Sequence, residues 1–256
     1  MEIKELKKYN LFKNTKILKL KKLNKQGVCN ISYKIQTPKK NYLLRVFKYT
    51  HKNKNSRKHE FSIQTKAYKE NIAAKVYILD EKNSLMICDF LKGGHKEKLK
   101  KNDLKILVKS LKKLHKIKTK YKKYKIKDDL KNYKKTLKDS QSKALIESSL
   151  NELKKIKKYK FEKVLSHHDL NKSNILFYKN KVKFIDWEFS CVNDRFFDLA
   201  NICFEFNLNK IQEKKLLKEY LKKVKKEDIQ KLFSYKILYE NLWILWFKAL
   251  ENETIK

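Results

Sequence analysis

Between Ser166 and Ser190 the chain reads SHHDLNKSNILFYKNKVKFIDWEFS, a short stretch that gathers Asp169, Asn174, Asp186 and Glu188 in a protein otherwise rich in lysine. Two strand-like runs, NILFYK and KVKFIDW, flank a polar turn centred on Asn180, a residue type that tolerates left-handed backbone angles. Opposed residues of an antiparallel hairpin stand at equal distances from its turn. Asn174 and Asp186, each six positions from Asn180, are therefore expected to face each other, with α-carbons roughly 4.5–5.5 Å apart. An amide oxygen and a carboxylate so placed can share a hard, oxygen-seeking cation such as Mg2+. Asp169 adds a third acid on the loop that approaches the first strand. Taken singly, each residue reads equally well as a turn acid or a strand-end asparagine; their joint spacing is what argues for chemistry.

The elements that would position these residues follow from periodicity. Residues 16 to 50 alternate as strands, KILKLKKL, VCNISYKIQT and NYLLRVFKY, with breaks at Gly27 and near Pro38. A helix over SRKHEFSIQTKAYKENI follows, with Ser56 placed to cap it, and then two more strands, AKVYILDE and SLMICDFL. Gly93 and Gly94 mark a hinge. From Asn102 the pattern turns helical, with Leu104, Leu107, Val108, Leu111 and Leu114 on one face, and a second long helical region covers about 128–157. Helical patterning resumes at Asp198. The expectation is an α+β, bilobal chain: a small antiparallel β-sheet lobe with one helix over residues 1–92, and a larger, mainly helical lobe over 93–256.

The formal charge of +38 raises the question of a polyanionic partner, but of the 66 basic residues only Arg45, Arg57 and Arg195 carry the planar fork that clamps phosphate or reads guanine. The lysines are spread along the whole chain, which fits a solvated surface better than a dedicated nucleic-acid face. The four cysteines are too scattered for a zinc knuckle or a disulfide framework. The charged N-terminus does not read as a signal peptide, and NLWILWFKAL is too short to span a bilayer. A cytoplasmic protein is expected.

A carboxylate, an asparagine five residues on and a second carboxylate after a returning strand is the arrangement of kinase-type phosphotransferases. HHDLNKSN followed by FIDWEFSCVNDRFFDLANICFEF resembles the choline/ethanolamine kinase family, within the wider protein-kinase-like fold. The resemblance implies that Asp169 is the catalytic base and that Asn174 and Asp186 hold Mg2+. It places His167, Glu188 and Asp198 in structural roles. LLRVF looks like the strand whose basic residue, here Arg45, meets the phosphates of ATP, with Glu60 as its helix partner. Gly27 would sit in the phosphate loop, although NKQGVCN is glycine-poor. MICDFL looks like the hinge where the backbone of Phe90 and Leu91 holds adenine.

Trp243 and Trp246 stand three apart, on one face of a helix, and alone would read as core residues. The resemblance instead implies a box for a quaternary ammonium, bound by aromatic faces, with Glu205 as countercharge. The implied activity is transfer of the γ-phosphoryl group of ATP to choline, giving phosphocholine. Ethanolamine, thiamine or an aminoglycoside are alternative acceptors, and a silent, basic nucleic-acid-binding protein is the rival outside enzymes. His115 and His168 are expected to be packing or surface residues.

Overall fold

The computed structural model describes residues 2–24, 26, 30–48, 56–121 and 123–254. They divide into two compact units, Met1–Gly94 with Lys183–Phe189, and His95–Val182 with Ser190–Lys256. Gly27 and the polar stretch 51–55 lie outside the described residues.

The first unit opens with two short helices that the lysine-rich N-terminus did not announce, α1 (Ile3–Leu6) and α2 (Asn10–Lys13). Each buries one apolar side chain, Leu6 and Phe12. Five strands follow, β1 (Lys19–Lys22), β2 (Asn30–Gln36), β3 (Asn41–Phe47), β4 (Val76–Asp80) and β5 (Leu85–Asp89), in the order β1-β2-β3-β5-β4 with every pairing antiparallel. Tyr42 and Leu44 of β3 pack with Ile35, Leu85 and Ile87 and with Leu6, Phe12 and Ile17 in one cluster. The Phe12 ring meets Tyr42 edge-on, with centroids 5.2 Å apart. Between β3 and β4 runs α3 (Arg57–Lys69), started as expected by Ser56, whose side chain accepts the His59 N–H. A cap of this kind contributes about 1 kcal/mol. The segment Lys183–Phe189 joins this unit through the Phe184 N–H, which donates to the Ile72 carbonyl at 2.8 Å, and through the fully buried Trp187. Gly93 takes φ 151°, a backbone state that side chains resist.

In the second unit α4 (Lys101–Lys116) buries Leu104, Leu107, Val108, Leu111 and Leu114, the face marked by the sequence. The single long helical region expected at about 128–157 is two helices, α5 (Ile126–Thr136) and α6 (Ser140–Ile156). Asp139 restarts the chain by accepting the Ser142 N–H at 3.0 Å, a capping signal that a reading of apolar periodicity passes over. Strands β6 (Lys163–Ser166), β7 (Ile175–Tyr178), β8 (Lys181–Phe184) and β9 (Cys191–Asp194) make two two-stranded sheets, β6 with β9 and β7 with β8. Three helices close the chain: α7 (Arg195–Glu205), α8 (Lys210–Leu221) and α9 (Lys226–Thr254), with α6 and α7 packed on α9. The cap of α7 is Asp194, whose carboxylate accepts the Phe196 N–H at 3.0 Å; Asp198, where the sequence pattern turns helical again, lies one turn inside. Among the described residues no helix is long and apolar enough to cross a membrane.

Because Phe12 is fully buried against Tyr42, Phe12→Ala should destabilise the native state by about 3–5 kcal/mol. Urea unfolding measures this, and a cost below about 1 kcal/mol would show that α1 and α2 are not part of the core.

Candidate active site

The hairpin differs from its sequence reading in one respect. Its turn is the pair Lys179 and Asn180, and Lys179, at φ 51°, takes the left-handed angle. The midpoint thus falls between two residues, so Asn174 and Asp186 are not equidistant from it. Both lie beyond the paired strands, Asn174 in a single 3-10 turn (Lys172–Asn174) of the second unit and Asp186 in the first unit's returning segment. Asp186 itself has φ 64°, an uncommon state for a residue with a side chain and one that clusters at functional positions.

In the first unit Arg45, on the central strand, brings three expected residues together. Its Nη1 donates to Glu60 on α3, and its Nη2 donates to Asp186 Oδ1 at 2.5 Å. Arg57 adds a second guanidinium, donating through Nη1 to Glu60 Oε2 at 2.7 Å and to Glu188 Oε2 at 2.9 Å. Burial alone would raise the Glu60 carboxyl, but the two guanidiniums hold it below its usual value. Burial pushes Asp186 up, opposed by Arg45 and reinforced by Glu60. Glu188 is raised by burial and then by the Asp186 charge. The cluster therefore sets three carboxylates against two guanidiniums. At the end of β5, Phe90 and Leu91 line a cavity of about 480 Å3 with residues from Thr37 to Asn41. The Phe90 N–H is committed to the Asn41 carbonyl at 3.2 Å.

In the second unit Asp169 is gripped by amides. Asn171 Nδ2 donates to its Oδ1 at 3.0 Å, and Asn174 Nδ2 donates to its Oδ2 at 2.7 Å and to its backbone carbonyl at 3.0 Å. Asn171 also caps the 3-10 turn by accepting the Asn174 N–H. An Asn174 amide turned this way keeps its Oδ1 for a ligand. A carboxylate on Asp186 and an amide oxygen on Asn174 are both donors that Mg2+ prefers.

Behind this loop lies a buried network that the sequence did not disclose. Asp198 is wholly buried and accepts four hydrogen bonds: Ser166 Oγ at 2.7 Å, the His167 N–H at 2.9 Å, the His168 N–H at 3.0 Å, and His115 Nε2 at 2.9 Å. His115 reaches it from α4 and is itself held by the Tyr220 hydroxyl, 2.6 Å from Nδ1. His167 is fully buried. His168 has φ 71° and stacks on Phe197 with centroids 3.9 Å apart. Only the helical face of α4 could have hinted at His115, which follows Leu114 at its edge.

Glu205, at the end of α7, accepts the Tyr239 hydroxyl at 3.1 Å, and burial raises its carboxyl. The ring of Phe204, its neighbour in sequence, begins a run of aromatic contacts: Phe204 to Tyr239 at 5.5 Å, Phe204 to Trp243 at 6.4 Å and Trp243 to Phe247 at 4.4 Å. Trp246 meets Phe247 edge-on at 4.8 Å. Tyr239 and Phe247 were not singled out from the sequence. The signal was present, since Tyr239, Trp243, Trp246 and Phe247 stand at intervals of four, seven and eight, one stripe of α9.

Although burial alone would raise Asp198, the hydrogen bonds from His115, Ser166 and the His168 N–H hold it at about 2. Against an unfolded value of about 3.9, this contributes about 2–3 kcal/mol at neutral pH. The contribution is full above pH 4 and lost as pH falls through the folded value. Asp198→Asn should therefore be less stable than the wild type at pH 7, and urea titrations should show that gap closing between pH 4 and 2. A gap independent of pH would refute a charged Asp198.

The family model for choline/ethanolamine kinase matches residues 21–246. Protein LicA of Haemophilus influenzae (strain ATCC 51907 / DSM 11121 / KW20 / Rd) is 36% identical over 93 residues, 34% of this chain and 35% of that protein. The LicA homolog of Mycoplasma capricolum subsp. capricolum is 27% identical over 226 residues, 88% of this chain and 87% of its own length. The crystal structure of the choline kinase LicA from Streptococcus pneumoniae superposes with TM-score 0.80 at 18% identity, covering 98% of this chain and 91% of that one, so the two share the kinase-like fold. With a family model matching most of its length, the chain belongs to the choline/ethanolamine kinase family.

Proposed function

We propose that the protein transfers the γ-phosphoryl group of ATP to the hydroxyl of choline, giving phosphocholine. The observation that carries the choice of acceptor is Glu205, a half-buried carboxylate that accepts the Tyr239 hydroxyl, whose ring meets that of Phe204, itself in contact with Trp243. A quaternary ammonium has no hydrogen to donate, so aromatic faces and a nearby negative charge are what can recognise it. Phe247, in contact with both tryptophans, would complete the wall to which Trp243 and Trp246 belong.

Asp169 would orient the choline hydroxyl and accept its proton at a carboxylate oxygen. Its two amide partners set the carboxylate's angle, so it meets the hydroxyl without reorganising. The transition state of phosphoryl transfer is loose, and alignment with charge neutralisation does most of the work. Arg45, steadied by Glu60, would hold the phosphates. Adenine would be held by the backbone at Phe90 and Leu91, although the Phe90 N–H is already given to the Asn41 carbonyl. Asn174 and Asp186 would hold Mg2+, which neutralises the phosphate charge when bound. An ATP-dependent enzyme of this kind works in the cytoplasm.

The test is ATP consumption with Mg2+ against choline, ethanolamine, thiamine and kanamycin. Choline should be preferred, and Asp169→Asn should lower kcat by about 10²–10⁴-fold. Trp243→Ala should raise the KM for choline by roughly three- to thirtyfold with little change for ATP. Turnover that favours another acceptor would discard the ammonium box. No turnover at all, with salt-sensitive nucleic-acid binding instead, would favour a silent protein.

A further inference from the structure

Arg57 stands on the first turn of α3, three residues before Glu60, and its side chain is 11% exposed. Its Nη1 serves two carboxylates, Glu60 and Glu188, while its Cζ lies 3.9 Å from the centroid of the Phe47 ring. The Arg45 Cζ lies 6.0 Å from the same centroid, so both guanidiniums share one aromatic neighbour. The second amine of Arg57, Nη2, is buried and meets no hydrogen-bond acceptor among the described residues. A guanidinium stays charged at any ordinary pH, and a buried donor without an acceptor loses its water with no return. The three acids of the cluster are already engaged, Glu60 by both arginines, Asp186 by Arg45 and Glu188 by Arg57. Among the described residues none supplies an acceptor for Nη2, which leaves that place to a ligand.

We propose that Arg57 is a second anion-binding side chain of the nucleotide site, with Nη2 donating to a non-bridging phosphate oxygen of the polyphosphate chain. The inference rests on the ATP-dependent reading above. It also fits a sequence with a single glycine in NKQGVCN, since a planar cation can hold phosphate where a glycine-rich stretch is lacking. The competing role is mechanical, with Arg57 bracing α3 to Glu188 and touching no ligand.

Binding without metal separates the two. In chelator, calorimetry would compare ADP with adenosine on the wild type, Arg57→Gln, Arg57→Lys and Glu188→Gln, each first shown to be folded by circular dichroism. Arg57→Gln should weaken ADP by roughly ten- to hundredfold and leave adenosine within about twofold. Arg57→Lys keeps the charge but loses the fork, so it should fall between and carries the test if the glutamine variant does not fold. Glu188→Gln removes the brace and keeps the guanidinium, so its loss for ADP should be clearly smaller than that of Arg57→Gln. Equal losses for ADP and adenosine, or a Glu188→Gln loss matching Arg57→Gln, would overturn the proposal in favour of the brace. A wild type that binds neither ligand would instead sink the ATP reading, and the proposal with it.

Discussion

A carboxylate with no access to water must be answered by hydrogen bonds or it will not stay ionised, and Asp198 is the place where the second unit meets that demand. Two of its four partners are consecutive backbone N–H groups, His167 and His168, so satisfying the charge fixes the main chain just before Asp169. The left-handed turn at His168 follows from the same requirement, because both amides must point at one side chain. The stack on Phe197, one residue before Asp198, then supports the strained residue from the helix that carries the acid. The orientation of Asp169 is thus set partly by its own amide partners and partly by a charge it never touches.

The first unit solves a related problem differently. Glu60, Asp186 and Glu188 gather around Arg45 and Arg57, and removing any one charge would leave a buried neighbour unanswered. Arg45 is anchored in the middle of five strands, the most constrained place in the sheet, while its two carboxylate partners come from α3 and from the segment after β8. An ion cluster with surplus negative charge is a poor contributor to stability. Charges buried together at such a cost are the physical reason to expect function there.

Much of this was legible in the sequence, for reasons that differ by element. The strands of the first unit, the face of α4 and the Ser56 cap are local patterns, written in residues close to one another in the chain. Asp169, Asn174 and Asp186 were singled out because their spacing is a motif. The helix break before Asp139 was missed because capping overrode an apolar period that continued through it. The midpoint of the hairpin was misjudged because Lys179, not a typical left-handed residue, took the positive φ. His115, Arg57 and Tyr239 were missed because their roles exist only across the fold. His115 is 83 positions from Asp198, Arg57 is 131 from Glu188, and Tyr239 is 34 from Glu205. No local pattern marks such a partner.

The arginines also explain the composition. Among 66 basic residues only three are arginine, and each has its guanidinium against carboxylate: Arg45 on Glu60 and Asp186, Arg57 on Glu60 and Glu188, Arg195 on Glu162 at 2.5 Å. The buried Lys231 shows where lysine suffices, donating to Asp194 at 2.7 Å and to the Lys160 carbonyl at 2.8 Å from one rotatable ammonium. One ammonium nitrogen cannot reproduce what Arg45 does, reaching acids on two different elements through two nitrogens held in a plane. Lysine therefore serves wherever a point charge or a solvated stem is enough, and the planar fork stands where geometry has to be fixed. Two of the three forks lie in the same cluster, which makes that cluster, rather than the basic surface, the chemically specified feature of the first unit.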